Sequence, residues 1–149
     1  MGIAASPLPP PLQAVVDTFR SAPASLRPQL LLEFARRVPP LPDALREDRS
    51  QLEQVHECMT PFFVASEVAD DGSVRLFFDA PEEAPTTRGF AGILFEGLSG
   101  QPLDRVIVVP DDFYDALGLA EVISPLRLRG MAAILARLKR QLRAASLAG

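Results

Sequence analysis

The stretch Phe62-Phe63-Val64-Ala65-Ser66-Glu67-Val68-Ala69-Asp70-Asp71-Gly72-Ser73-Val74-Arg75-Leu76-Phe77-Phe78 decides the fold. Its apolar residues recur with period two and are rich in aromatic and β-branched types, which suit a pleated, half-buried strand. Phe62, Val64 and Val68 alternate with Phe63, Ala65 and Glu67. Asp70-Asp71-Gly72 then supplies a turn, and Val74 to Phe78 runs back, so the segment reads as a β-hairpin. A third strand is expected around Leu52 to Val55, where strand propensity is weak.

Outward from the hairpin the apolar period becomes helical. Upstream, Leu12, Val15, Val16 and Phe19 form one stripe, broken at Ser21-Ala22-Pro23. A second helix is expected from Ser25 as N-cap, with Leu26, Leu30, Leu31, Phe34 and Val38 on one face and Pro39-Pro40-Leu41-Pro42 ending it. The connection from Pro39 to Gln54 reads as extended or as a single turn. Downstream, Phe90, Ile93, Leu94 and Leu98 form a stripe on a helix expected to lie against the hairpin. Gly89, Gly92 and Gly97 each cost that helix about 1 kcal/mol relative to Ala, which implies close backbone packing as compensation. Leu103 to Val109 fits a helical turn or a strand. Asp111 can cap a short helix carrying Phe113, Leu117 and Leu119, with Gly118 left-handed. Ser124-Pro125 opens the last helix, whose core face is Met131, Ile134, Leu135, Leu138 and Leu142. Helices before and after a small antiparallel sheet define an α+β domain.

A chain of 149 residues suits one domain. Residues 1–11, with Pro7, Pro9, Pro10 and Pro11, read as a disordered lead, and residues 12–149 as the folded unit. No apolar run approaches the roughly 18 residues of a membrane span, and the N-terminus lacks the basic and apolar regions of a secretory signal. With one cysteine, these features point to a cytoplasmic protein without a membrane role. All 19 acidic residues and 9 of the 15 basic ones fall before residue 124, leaving six basic and no acidic residues in the last helix. That basic helix fits either a macrodipole-complementing solvated face or a patch for an acidic partner. Nucleic acid is disfavoured by the net charge of -4 and the absence of an aromatic stacking platform.

Cys58 is the single cysteine, in Val55-His56-Glu57-Cys58-Met59-Thr60-Pro61 just ahead of the hairpin. A lone thiol forms no internal disulfide and supplies little of a zinc site. Its surroundings are polar and turn-like, where a packing cysteine replaces Val or Ala on an apolar face. His56, two residues away, would share a face with Cys58 in an extended backbone, but as the chain's one imidazole, with no evident orienting residue, it is discounted as a base and reads as a solvated loop histidine. Glu57 opposes thiolate formation by like charge. No phosphate-binding Gly-rich loop, zinc-type Cys/His cluster or nucleophile elbow is present, and no metal ligands are expected. The residues therefore describe a thiol with little to activate it, suited to accepting and passing on a group when a partner does the activation.

Several segments, in order, resemble the SufE family: Leu32-Glu33-Phe34-Ala35 through Pro39-Pro40-Leu41-Pro42, Val55-His56-Glu57-Cys58, Ala84-Pro85-Thr86-Thr87-Arg88-Gly89-Phe90-Ala91, and Asp112-Phe113-Tyr114 through Ile123-Ser124-Pro125-Leu126-Arg127. The resemblance spans about Leu12 to Arg143. It implies a sulfur acceptor that takes persulfide sulfur onto Cys58 from a SufS-type, PLP-dependent cysteine desulfurase and passes it to an iron-sulfur assembly scaffold. PLP would reside in the partner, this chain needing no cofactor of its own, and the protein would be an activator and acceptor rather than a stand-alone enzyme. It also assigns Glu83 and Arg127 to supporting the cysteine loop or the partner contact; a helix-leading carboxylate and a first-turn surface arginine are the plainer readings. The family's Gln-Gly-Cys-Gln-Ser is here His56-Glu57-Cys58-Met59-Thr60, which removes a flexible Gly and a nearby amide and marks a divergent branch. His56, Glu57, Met59 and Thr60 are the expected neighbours of the thiol. Two other classes remain open: a one-cysteine thiol peroxidase or redox sensor, and an interaction module with a structural cysteine.

Overall fold

In a computed structural model, which describes residues 8–58 and 60–148, the period-two stretch forms β2 (Phe63–Val68) and β3 (Val74–Asp79). They pair antiparallel in a register that sets Val64 opposite Phe78, Ser66 opposite Leu76 and Val68 opposite Val74. These residues share one face, and Val64, Val74, Leu76 and Phe78 on it are buried. The turn follows the sequence: Gly72 takes φ 86°, and the Asp71 carboxylate accepts from the Ser73 N–H at 2.9 Å. The expected third strand is β1 (Glu53–Gln54), short and antiparallel to β2, giving the sheet order β1-β2-β3. The architecture is α+β.

Six helices accompany the sheet among the described residues: α1 (Pro10–Ser21), α2 (Arg27–Ala35), α3 (Asp43–Glu47), α4 (Pro85–Leu98), α5 (Leu103–Val106) and α6 (Pro125–Ala148). The fold begins before the expected boundary at Leu12. Helix α1 starts at Pro10 and Leu8 is buried in the core. Prolines fit the first helical turn, whose N–H groups have no intrahelical acceptor, so residues 8–11 are ordered. The expectation of disorder for residues 1–7 lies outside the described residues.

Ser25 does not cap α2. It sits inside a 3-10 turn, Ala24–Leu26, with no side-chain cap bond, and the helix proper follows at Arg27. Arg27 instead braces the turn, its Nε donating to the Phe19 carbonyl at 3.0 Å and its Nη1 to the Gly118 carbonyl at 2.9 Å. Gly118 is left-handed, as expected. The ambiguous 103–109 segment resolves as the single turn α5.

Helix α4 packs chiefly on α2 and α1, with a smaller contact to β3, rather than mainly on the hairpin. Its glycines explain the choice. A Cβ at Gly92 would lie 1.9 Å from the Phe34 carbonyl oxygen, one at Gly89 2.7 Å from the Leu31 carbonyl oxygen, and one at Gly97 2.5 Å from the Leu12 Cδ1. The bare face lets three helices cross at backbone contact. Arg88 locks the crossing by donating to the carbonyls of Ala35, Ala80 and Val38 at 3.1, 2.6 and 3.4 Å. The sheet's apolar face is covered by α6, whose Met131, Ile134, Leu135, Leu138 and Leu142 are all fully buried.

Candidate functional site

The chain leaves β1 at Gln54 and re-enters the sheet at Phe63, and the connecting loop, described at residues 55–58 and 60–62, lies against α6. The loop is closed at its base by the Val55 N–H donating to the Phe62 carbonyl at 2.8 Å. A second backbone bond, Cys58 N–H to the Val55 carbonyl at 3.1 Å, makes 55–58 a tight turn. This turn carries Cys58 to a point above Gly130 of α6, where a Cβ would sit 3.5 Å from Sγ. The thiol is partly buried and packs on the edge of the core.

Cys58 lines a cleft of about 330 Å³. One wall is the first turn of α4 with the residues leading into it, including Glu83, Pro85 and Thr87; the other is the first turns of α6, with Leu126, Arg127 and Gly130. Phe90, which is buried, also lines it. Helix α6 is capped here as its sequence indicates, the Arg127 N–H pointing to the Ser124 hydroxyl at 3.4 Å. Glu57, Cys58, Thr60, Glu83 and Arg127, five of the expected site residues, therefore share one cleft although they come from three separate segments. His56 is exposed in the turn and is not among the cleft-lining residues. Met59 lies outside the described residues. The Thr60 hydroxyl is buried and has no hydrogen-bond partner among the described residues.

Burial pushes the Cys58 thiol up to about 11, the neighbouring Glu57 carboxylate adds to the rise, and Arg137 partly offsets it. The like-charge effect expected from Glu57 is present, with desolvation the larger cause. A thiol in this state is protonated at neutral pH, the opposite of a peroxidatic cysteine activated by neighbouring cations. Among the described residues no group of three His, Cys, Asp or Glu side chains is placed to hold a metal ion, and no helix is long and apolar enough to cross a membrane.

The α6 residues that order the loop carry no local sequence signal. Arg137 reaches from α6 both to β1 and into the loop, its Nη1 donating to Glu53 at 2.8 Å and its Nη2 to Glu57 at 2.7 Å. Glu53 also accepts from Arg140 and, at 3.0 Å, from Gln141 Nε2. These partners, Arg140 foremost, hold the Glu53 carboxyl down to about 2, and the Arg137 hydrogen bond lowers that of Glu57. The charge imbalance between the last helix and the rest of the chain is the signal that could have found this arrangement. Further along α6, Lys139 is buried and donates to the Val109 carbonyl at 2.7 Å while pairing with Asp111 at 2.6 Å. Four of the six basic residues of α6 thus bind the chain's own carboxylates or carbonyls, Arg143 reaching the Ile107 carbonyl at 3.1 Å.

Fold and site together define a class: an α+β domain that presents one partly covered thiol from a loop at the wall of a cleft. The chain belongs to the SufE family, described as an Fe-S metabolism associated domain, whose model matches residues 13–142. It is similar to an uncharacterized SufE-like protein of Mycobacterium tuberculosis, 54% identical over 138 residues that cover 93% of this chain and 95% of that one. The cysteine desulfuration protein SufE of Plasmodium vivax is 25% identical over 135 residues, covering 89% of this chain and 52% of that one. Among solved structures, the solution structure of a hypothetical protein from Thermus thermophilus superposes with a TM-score of 0.84 at 48% identity, covering 94% of this chain and 98% of the other.

Proposed function

We propose that this protein is a sulfur carrier: Cys58 accepts the sulfane sulfur of a cysteine persulfide on a PLP-dependent cysteine desulfurase and passes it to iron-sulfur cluster assembly. The observation that carries this reading is a single thiol, half covered and without an activating base, set at a cleft in a chain of the SufE family. In the transfer, Cys58 loses its proton and its thiolate attacks the terminal sulfur of the partner's persulfide. The partner's sulfur–sulfur bond breaks, a new one forms on Cys58, and the partner's cysteine leaves as a thiolate that takes up a proton. No net oxidation or reduction occurs, so the carrier needs no redox cofactor of its own.

Burial suits the task. A thiol raised to about 11 resists adventitious oxidation and alkylation, because the thiolate is the reactive form. Moving it out of the cleft toward the partner removes the desolvation that raises it, so activation coincides with docking. Glu83 and Arg127, exposed on opposite walls of the cleft, are placed to meet the partner or to support the displaced loop. The proposed setting is the cytoplasm. The test is desulfurase turnover with free cysteine: the protein stimulates it, and Cys58→Ser abolishes the stimulation. Equal stimulation by the serine variant would remove Cys58 from the reaction.

A further inference from the structure

Resting on the carrier reading, we propose that Arg137 is a positioning residue that latches the Cys58 loop shut through Glu57. Strand β1 and the loop together touch α6 at three places. Glu53 is held by Arg137, Arg140 and Gln141; Glu57 is held by Arg137; and Cys58 lies over Gly130. Gly130 and Arg137 are seven residues apart, two helical turns, and so lie on one face of α6 with the fully buried Ile134 between them.

The two ends of this arrangement differ in how firmly they are held. Glu53 has three side-chain donors and is 30% exposed, so it is a fixed anchor where the loop leaves β1. Glu57 has one donor on α6, Arg137, and is 51% exposed. Arg137 itself is 19% exposed and already anchored to Glu53. Breaking the Glu57 contact therefore frees the residue next to Cys58 while the guanidinium stays in place to receive it again. The planar fork of arginine, bonded to two carboxylates through separate nitrogens, permits this division of labour.

The test measures iodoacetamide alkylation of Cys58 at pH 8 in the full chain, with no partner present. Arg137 favours the thiolate electrostatically, so if charge were its whole role, Arg137→Met would slow alkylation. The latch reverses the sign: Arg137→Met accelerates alkylation about tenfold, corresponding to about 1.4 kcal/mol of closed-state preference. Glu57→Asp keeps the carboxylate beside the thiol but shortens its reach by one methylene, and it accelerates alkylation in the same direction. Arg140→Met removes a donor from Glu53 alone and stays within about twofold of the parent chain. Slower or unchanged alkylation in both Arg137→Met and Glu57→Asp overturns the proposal, as does equal acceleration by Arg140→Met, which would signify general loosening. If Arg137→Met does not fold, the Glu57→Asp and Arg140→Met pair decides alone. Because no desulfurase takes part, failure of the latch leaves sulfur loading of Cys58 intact, and failure of loading leaves these rates unchanged.

Discussion

Substituting alanine for two glycines on the helices around the site should move stability in opposite directions. Mid-helix, Gly→Ala contributes about 1 kcal/mol in favour of the folded state. At Gly130 that gain is free to appear, since the new methyl would meet Cys58 Sγ at 3.5 Å and the Glu57 carbonyl oxygen at 3.9 Å, both ordinary contact distances. At Gly92 the methyl would fall 1.9 Å from the Phe34 carbonyl oxygen and 2.5 Å from its carbon. Those are backbone atoms of α2, and no side-chain rotation relieves them. Restoring contact requires α4 and α2 to separate by more than about 1 Å, and a gap of that size forfeits up to about half of each dispersion contact along the crossing. Overpacking of this kind costs about 3 kcal/mol or more, against the gain of about 1, so Gly92→Ala should be destabilised by about 2 kcal/mol or more. At this chain length that lowers the midpoint of thermal unfolding by about 4 to 8 °C, while Gly130→Ala raises it by about 2 to 4 °C. Circular dichroism melts of the two variants and the parent chain at one pH are sufficient. A Gly92→Ala protein as stable as the parent would show that α2 and α4 do not cross at backbone contact.

Two further outcomes follow from the same framework. Arg88→Met leaves the carbonyls of Ala35, Ala80 and Val38 without that donor and should destabilise the chain by about 2 to 4 kcal/mol in urea titration, with a cost below about 1 kcal/mol contradicting the bracing role. For Cys58, a thiol raised from 9.0 to about 11 carries roughly a hundredfold less thiolate at neutral pH, so its alkylation rate should climb about tenfold per pH unit from about 7 to 9.5 without levelling. A plateau below about pH 9 would mean that the thiol is not desolvated in the folded chain.

The hairpin was readable because strand period, turn chemistry and β-branched content agree from Phe62 to Phe78. The glycines of α4 signalled close packing correctly, yet they did not say against what: a glycine announces an approach, and the approaching Phe34 and Leu31 carbonyls belong to a helix some 60 residues away in sequence. Ser25 illustrates the same limit. It has cap chemistry, but Pro23 and the Arg27 contacts to Phe19 and Gly118 set the entry to α2 instead. At the site, Cys58 stood out because it breaks the apolar pattern, and the convergence of Glu83 and Arg127 on it came through resemblance. Arg137 is not legible in the sequence for a physical reason. Its partners Glu53 and Glu57 are 84 and 80 residues away, so no local spacing reveals the pairing. The excess of positive charge in the last helix left two readings, a solvated face or a patch for an acidic partner, and much of its charge binds acidic groups of the chain itself.

Sulfur transfer to Cys58 is read out by intact-protein mass spectrometry after incubation with a cysteine desulfurase and free cysteine. A carrier gains about 32 Da, one sulfur atom, mapped to Cys58, reversed by a thiol reductant and absent from Cys58→Ser. An unchanged mass for the parent chain with its cognate desulfurase turning over, or an equal gain in the serine variant, would contradict transfer to Cys58.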